Sequence, residues 1–169
     1  MEFKDTVFAR RSNRFLLEKP LKQEEIDYIL SIAFRAPVAL GRYGDVKLLV
    51  ITGNTLMTLQ NEFVKVNGND NTYGGSALIV VLHKGTREEL TNQDAGIIGE
   101  HVCLAAADIN IGSVYLHSLV DMMNENKFIN KDLLDINSEY KVMCAVTLGY
   151  KANENVRDIE HKFDVKYYN

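Results

Sequence analysis

Two nearly unbroken apolar runs constrain this chain more than anything else in it. They are Ala77-Leu78-Ile79-Val80-Val81-Leu82 and Val142-Met143-Cys144-Ala145-Val146-Thr147-Leu148. A strand with one face in water alternates apolar and polar residues, whereas a strand covered on both faces does not. Both runs therefore predict central strands with helices on either side of the sheet. Val46 to Ile51 predicts a further strand, stopped by Gly53-Asn54, and Val114-Tyr115-Leu116 a short extended piece. Gly149 is expected to close the last strand. Helical patterns lie between the strands: residues 3–10 (Phe3, Val7, Phe8), Leu21 to Phe34 (Ile26, Ile29, Leu30, Ala33), residues 55–66, and one or two short helices within 119–136. Asn67 to Gly75, rich in Gly and Asn, reads as a loop or a mobile lid. Strands separated by helices indicate an α/β or α+β sandwich.

The pattern from about Ala95 to Ile109 is apolar almost all round, so this helix is buried on more than one side. Asn92-Gln93-Asp94 offers caps at its start, and Asn110-Ile111-Gly112 ends it with residues that tolerate positive φ. Gly96 and Gly99 each cost a helix about 1 kcal/mol against Ala, so they need a packing reason. Close approach of a second copy of the helix is one reading, and a central core helix in a monomer is the other.

At 169 residues the chain is expected to form one domain, with 150–169 as a polar tail. Its net charge of −4 makes nucleic acid an unfavoured partner. Cys103 and Cys144 sit far apart in apolar runs, which predicts buried free thiols, a reducing compartment and a cytoplasmic location. The charged start lacks a signal-peptide core, and no apolar stretch approaches a membrane span. His83, His101, His117 and His161 show no metal-ligand spacing. There is no GxSxG elbow, phosphate-binding P-loop or GxGxxG after a strand.

Against this acidic background stands Arg10-Arg11-Ser12-Asn13-Arg14. Guanidiniums this close repel unless they are solvated or meet an anion. A continued helical turn would put Arg10 and Arg14 on one face, and with the Ser12 hydroxyl they suit a phosphate. The alternative is a solvated helix end, where cations are favoured in any case.

Taken in order, the motifs resemble the nitroreductase family of flavin-dependent oxidoreductases. Arg10-Arg11-Ser12-Asn13-Arg14 resembles its R-R-S-x-R, and Arg35-Ala36-Pro37-Val38-Ala39 its A-P-S segment. Gly74-Gly75-Ser76-Ala77 through Val81 is similar to its G-A-P-x-x-I-V-V strand. Asp94-Ala95-Gly96 through Ala107 is similar to its central helix. Asn110-Ile111-Gly112-Ser113-Val114-Tyr115-Leu116 resembles its G-L-G-S-x-W-I, and Val146-Thr147-Leu148-Gly149-Tyr150 its last strand and turn.

The resemblance implies an α+β sandwich with a central mixed or antiparallel sheet, and a homodimer with tightly bound FMN at its interface. The tail is then expected to dock on the partner subunit. The resemblance assigns Arg10, Arg11, Ser12 and Arg14 to the flavin phosphate, ribityl chain and pyrimidine edge, with Arg14 near N1. Pro37, Val38 and Ala39 would face the ring from the other subunit. Tyr115, Leu116 and His117 would pass its reactive edge, where a backbone N–H could meet N5 or O4. Arg157 and Lys162 in the tail are further phosphate candidates, with a solvated tail charge as the other reading. The implied activity is hydride transfer from NAD(P)H through the flavin to a nitroaromatic, quinone or similar acceptor by a ping-pong cycle. The flavin carries that chemistry, so no catalytic triad is expected.

The chain departs from the family at Val38, Gly41, Tyr43, Gly44 and Asp45, where Ser, Asn, Gln, Pro and Trp commonly stand. That altered loop keeps a second reading open, a flavin store or sensor with little turnover. A dimeric scaffold that has lost its flavin is a third. Glu100-His101 replaces a Gln-Asn pair, and His101 reads as a hydrogen-bonded buried or interface histidine rather than a catalytic acid.

Overall fold

The computed structural model of the chain describes residues 1–125, 131–153 and 163–168. Its centre is β3 (Ala77–His83), buried along its whole length. Antiparallel neighbours flank it, β2 (Val46–Thr52) on one side and β5 (Lys141–Lys151) on the other. The far edge of β5 takes β4 (Gly112–Leu116) and, further along, the two-residue β1 (Leu16–Leu17). Every strand pair is antiparallel, and one isolated parallel bridge joins Ser12 to Ser113.

The helices α1 (Phe3–Ala9), α2 (Gln23–Ala33), α3 (Gly53–Asn67), α4 (Glu88–Asp108), α5 (His117–Asn124) and α6 (Lys131–Leu134), with two short 3-10 turns at Ala39–Gly41 and Tyr43–Asp45, complete the described elements. Alternation along β3 explains its unbroken apolar run. Ala77, Ile79 and Val81 join Cys144, Val146 and Leu148 under α2 and α4. Leu78, Val80 and Leu82 point the other way, to Leu56, Leu59 and Phe63 of α3 and Leu119 of α5. Two cores on one antiparallel sheet make an α+β sandwich. Among the described residues, no helix is long and apolar enough to cross a membrane.

Several elements differ from the sequence reading. α4 begins at Glu88, so Asn92, Gln93 and Asp94 lie inside the helix instead of capping it. Glu88 and Glu89 favour that earlier start by placing carboxylates in the first turn. The helix ends as expected: Asn110 has φ 62, its N–H donates to Ala107 O, and the Ile111 N–H donates to Ala106 O. That pair of bonds satisfies the last carbonyls in a Schellman arrangement.

β5 does not close at Gly149 but runs on to Lys151, so the first residues assigned to the tail belong to the sheet. Gly53 stops β2 as expected, but α3 starts at Gly53 itself and not at residue 55. With φ 57 it turns the chain straight from β2 into α3. The apolar residues of α1 do not face the core, since Phe3 and Phe8 are exposed and Thr6 is the buried one. The loop after α3 is tied by one carboxylate, Asp70, which accepts from the N–H and hydroxyl of Thr72 and the N–H of Gly74.

The two glycines of α4 separate the readings of that helix. A Cβ on Gly99 would lie 2.6 Å from the Tyr115 ring and 2.8 Å from Cys144 Sγ. Gly99 therefore serves the chain's own packing of α4 on β4 and β5. Gly96 meets nothing within 4 Å. It belongs to a less buried stripe with Gln93, Ile97, Glu100, His101 and Leu104.

Candidate functional site

Position in the arginine segment comes from close backbone approach. α1 stops at Ala9, with Arg10 as an extended C-cap, so no further helical turn aligns Arg10 with Arg14. The Asn13 N–H instead donates to Ser113 O at 2.9 Å, beside the Ser12–Ser113 bridge. Further on, the Leu16 N–H donates to Tyr73 O and Phe15 O accepts from the Ala152 N–H.

Leu16 lies over two facing glycines, Gly112 and Gly149. A Cβ at Gly112 would come 2.6 Å from Leu16 Cδ2, and one at Gly149 would come 3.1 Å from Leu16 Cβ. These glycines do more than end elements, because they let residues 12–17 lie flat across the ends of β4 and β5. Arg10 is extended and Ser12 is fixed by its bridge to Ser113, so the arginine segment is held beside the start of β4. Ser12 and Arg14 are exposed, and Arg10 and Arg11 half-buried. Arg10 Nε lies 3.3 Å from Glu100 Oε1 on the open stripe of α4.

α1 itself is fixed by Asp108 at the end of α4. Its carboxylate accepts from the Thr6 hydroxyl at 3.0 Å and the Tyr28 hydroxyl at 2.5 Å, and pairs with the Met1 amine at 2.9 Å. The bond from Tyr28, then those from the amine and Thr6, hold its pKa down to about 2.

β4 carries the chain from Ser113 to residues 115–117, about 7–13 Å along at a strand's rise. The three residues diverge there. Tyr115 packs against Gly99 and Cys144 while staying partly exposed, and burial raises its phenol pKa. Leu116 is buried in the α3/α5 core. His117 opens α5 with its side chain in solvent, Nε2 3.9 Å from Asp121. Behind Tyr115, burial pushes Cys103 to about 11 and Cys144 to about 12, and both are free thiols.

The 37–45 loop is anchored separately. Pro37 is exposed, Val38 buried and Ala39 half-buried, and Leu40 and Gly41 both have positive φ. The Ala39 N–H donates to Asp94 Oδ1 at 2.8 Å. The other oxygen, Oδ2, lies 3.2 Å from His83 Nε2, and the Gly85 N–H donates to His83 Nδ1 at 2.8 Å. Sequence reading missed this pair. The available signal was an aspartate one position before an all-round apolar helix pattern and a histidine ending an apolar strand. Beside the loop is a cavity of about 340 Å³ lined by Phe34, Ala36, Val38, Tyr43, Val46 and Ile98, among others. Tyr43 is thus a wall of that cavity as well as a surface residue.

His101 is hydrogen-bonded, with Nδ1 2.9 Å from Ile97 O. Arg157 and Lys162 lie outside the described residues, as does His161. Phe163, Tyr167 and Tyr168 of the tail are exposed. Among the described residues, no group of three or more His, Cys, Asp or Glu is placed to hold a metal ion.

A sequence model of the nitroreductase family matches residues 52–150, more than half of the chain. A protein of Archaeoglobus fulgidus, provisionally named an NADH dehydrogenase/NAD(P)H nitroreductase, is 26% identical over 151 residues, covering 88% of this chain and 84% of that one. A Desulfitobacterium hafniense nitroreductase, crystallised with bound FMN, superposes with a TM-score of 0.81 over 100% of this chain and 99% of that one. At 19% identity it establishes the shared fold alone. A provisionally named NADH oxidase from Clostridium acetobutylicum is 25% identical, with a TM-score of 0.73 over 95% of each chain.

Proposed function

The chain belongs to the nitroreductase family, and from that premise we propose that it is an FMN-dependent oxidoreductase. Residues 1–169 are read as one nitroreductase-like domain that acts as a homodimer, with a flavin at each interface site. The observation that carries this reading is the flat segment 12–17, which presents Ser12 and Arg14 in the open beside Arg10. Its donor set fits the group. A phosphate monoester carries about −1.5 to −2 charges near neutral pH, enough to hold two guanidiniums and a hydroxyl together.

FMN, when bound, supplies hydride transfer from NAD(P)H to a nitroaromatic, quinone or similar acceptor in a ping-pong cycle. This chain's residues bind and orient. Arg10 and Ser12 hold the phosphate and ribityl chain, with Arg11 beside them. Arg14 would hold the pyrimidine edge, where its cation would favour negative charge on the ring. Backbone N–H groups near Tyr115 and His117 offer donors to the ring's polar edge. Pro37, Val38 and Ala39 cover the partner subunit's flavin and exclude water from it. Arg157 is a further phosphate contact from the tail.

The test is the visible spectrum of protein supplemented with FMN and then desalted, with flavin and protein quantified. About one FMN per chain supports the reading, and initial rates against NAD(P)H and menadione should then give parallel double-reciprocal lines. A protein that cannot be loaded sinks the flavoenzyme reading. Flavin bound without NAD(P)H oxidation favours a store or sensor, the reading motivated by Val38, Gly41 and Tyr43.

A further inference from the structure

We infer that His83 and Asp94 are positioning residues for the flavin: a buried latch that fixes the backbone of loop 38–41 where it meets the partner subunit's cofactor. The inference rests on the flavoenzyme reading.

The latch is a continuous chain of bonds with a determined proton arrangement. It begins at the Ala39 N–H, which donates to Asp94 Oδ1. It ends at the Gly85 N–H, which donates to His83 Nδ1. Both ends are backbone donors, which cannot reverse. Nδ1 must therefore accept, so the neutral imidazole carries its proton on Nε2 and donates it to Asp94 Oδ2, 3.2 Å away. Asp94 must accept at both oxygens. The two side chains are 4% and 5% exposed, so water does not substitute for a lost partner.

The loop needs such a latch. Leu40 and Gly41 sit consecutively at φ 57 and 65. For Leu40 this left-handed conformation is unfavourable, and its side chain is exposed, so its own packing does little to hold the turn. The contact at Ala39 precedes the strained pair by one residue and ties it to α4 and the end of β3. Positions 38, 41, 43, 44 and 45 carry Val, Gly, Tyr, Gly and Asp where the family commonly has Ser, Asn, Gln, Pro and Trp, so the placement of this loop's backbone carries more of its contact with a flavin.

Asp94→Asn is the discriminating change, because it keeps size and one acceptor but puts an amide N–H₂ against a donor. Turned either way, the amide faces the Ala39 N–H or the imidazole N–H. Shifting the imidazole proton to Nδ1 only moves the conflict to Gly85. Amide hydrogen exchange over 38–42 should accelerate at least 10-fold, with residues 78–82 of β3 unchanged. FMN should bind at least 10-fold more weakly by fluorescence titration, and the visible circular dichroism of bound flavin should change shape.

Loop exchange that is unchanged, or that rises only in step with β3, overturns the latch. Faster loop exchange with FMN affinity within 2-fold of wild type overturns its role in flavin positioning. If Asp94→Asn does not fold, Ala39→Pro removes the donor and leaves the buried pair intact. Val38, at φ −121 and ψ 135, already has the conformation a following proline requires. That variant should lose FMN affinity by the same 10-fold, and wild-type affinity overturns the inference. A wild-type protein that binds no FMN refutes the function and the flavin-positioning role, while the exchange measurement still decides whether the latch holds the loop.

Discussion

Replacing Asp108 by Asn should cost about 1–2 kcal/mol at pH 7, because this carboxylate holds α1, and with it Arg10, against α2 and α4. The magnitude follows from its pKa, lowered from 3.8 to about 2 by bonds from Tyr28, the Met1 amine and Thr6. A tenfold change in an ionisation constant corresponds to about 1.4 kcal/mol of preference for the charged form. The side chain is 21% exposed, so screening by water reduces the total to the stated range. In a chain of this length the melting temperature should fall by roughly 3–6 °C.

The sign is fixed by the direction in which the pKa moves. A carboxylate whose folded pKa is depressed contributes fully above its unfolded value and loses the contribution as pH falls toward the folded one. The gap between wild type and Asp108→Asn should therefore be constant from pH 7 to 5, shrink to about half near pH 3, and vanish below pH 2. Urea unfolding at pH 7, 5 and 3 measures it. A gap equal at pH 7 and pH 3, or below about 0.5 kcal/mol at pH 7, would refute the assignment of the charge as the anchor.

Other outcomes follow from the same geometry. Gly99→Ala should lose about 1–3 kcal/mol in thermal unfolding, since its Cβ would overlap the Tyr115 ring and Cys144 Sγ. Gly96→Ala, in open space within the protomer, should cost nothing or gain up to about 1 kcal/mol from helix propensity. Gly96→Leu should weaken dimerisation in sedimentation if the open stripe of α4 meets a second copy. Arg10→Ala with Arg14→Ala should weaken FMN binding at least 100-fold in fluorescence titration, roughly the loss of two charge-assisted bonds. Glu100→Gln should leave it within about 3-fold, because it removes only an exposed competitor for Arg10. At pH 8 the folded protein should react with a thiol reagent roughly a hundred times more slowly than the unfolded chain, since burial pushes the Cys103 and Cys144 thiols up to about 11 and 12.

Much of this protein was legible before any coordinates. The unbroken run at Ala77–Leu82 required a strand covered on both faces, because water tolerates no such run on an open one. Ile26, Ile29 and Ala33 named the buried face of α2 through helical spacing alone. Asn110 marked the end of α4 because few other side chains accept positive φ. The arginine segment and its order among the other motifs indicated the family.

What only the tertiary structure decided is everything that depends on which atoms approach from elsewhere in the chain. Spacing could not say that Gly112 and Gly149 make room for Leu16, since a glycine needed for close approach looks like one that ends a strand. It could not separate Gly99, filled by Tyr115 and Cys144, from Gly96, which faces open space. Asp94 looked like a cap because aspartate commonly caps. Inside α4 it accepts from Ala39, a residue 55 positions away, and faces His83. Local sequence carries the preferences of short segments. The partner of a buried polar group is chosen by how those segments pack, and that choice has no local signature.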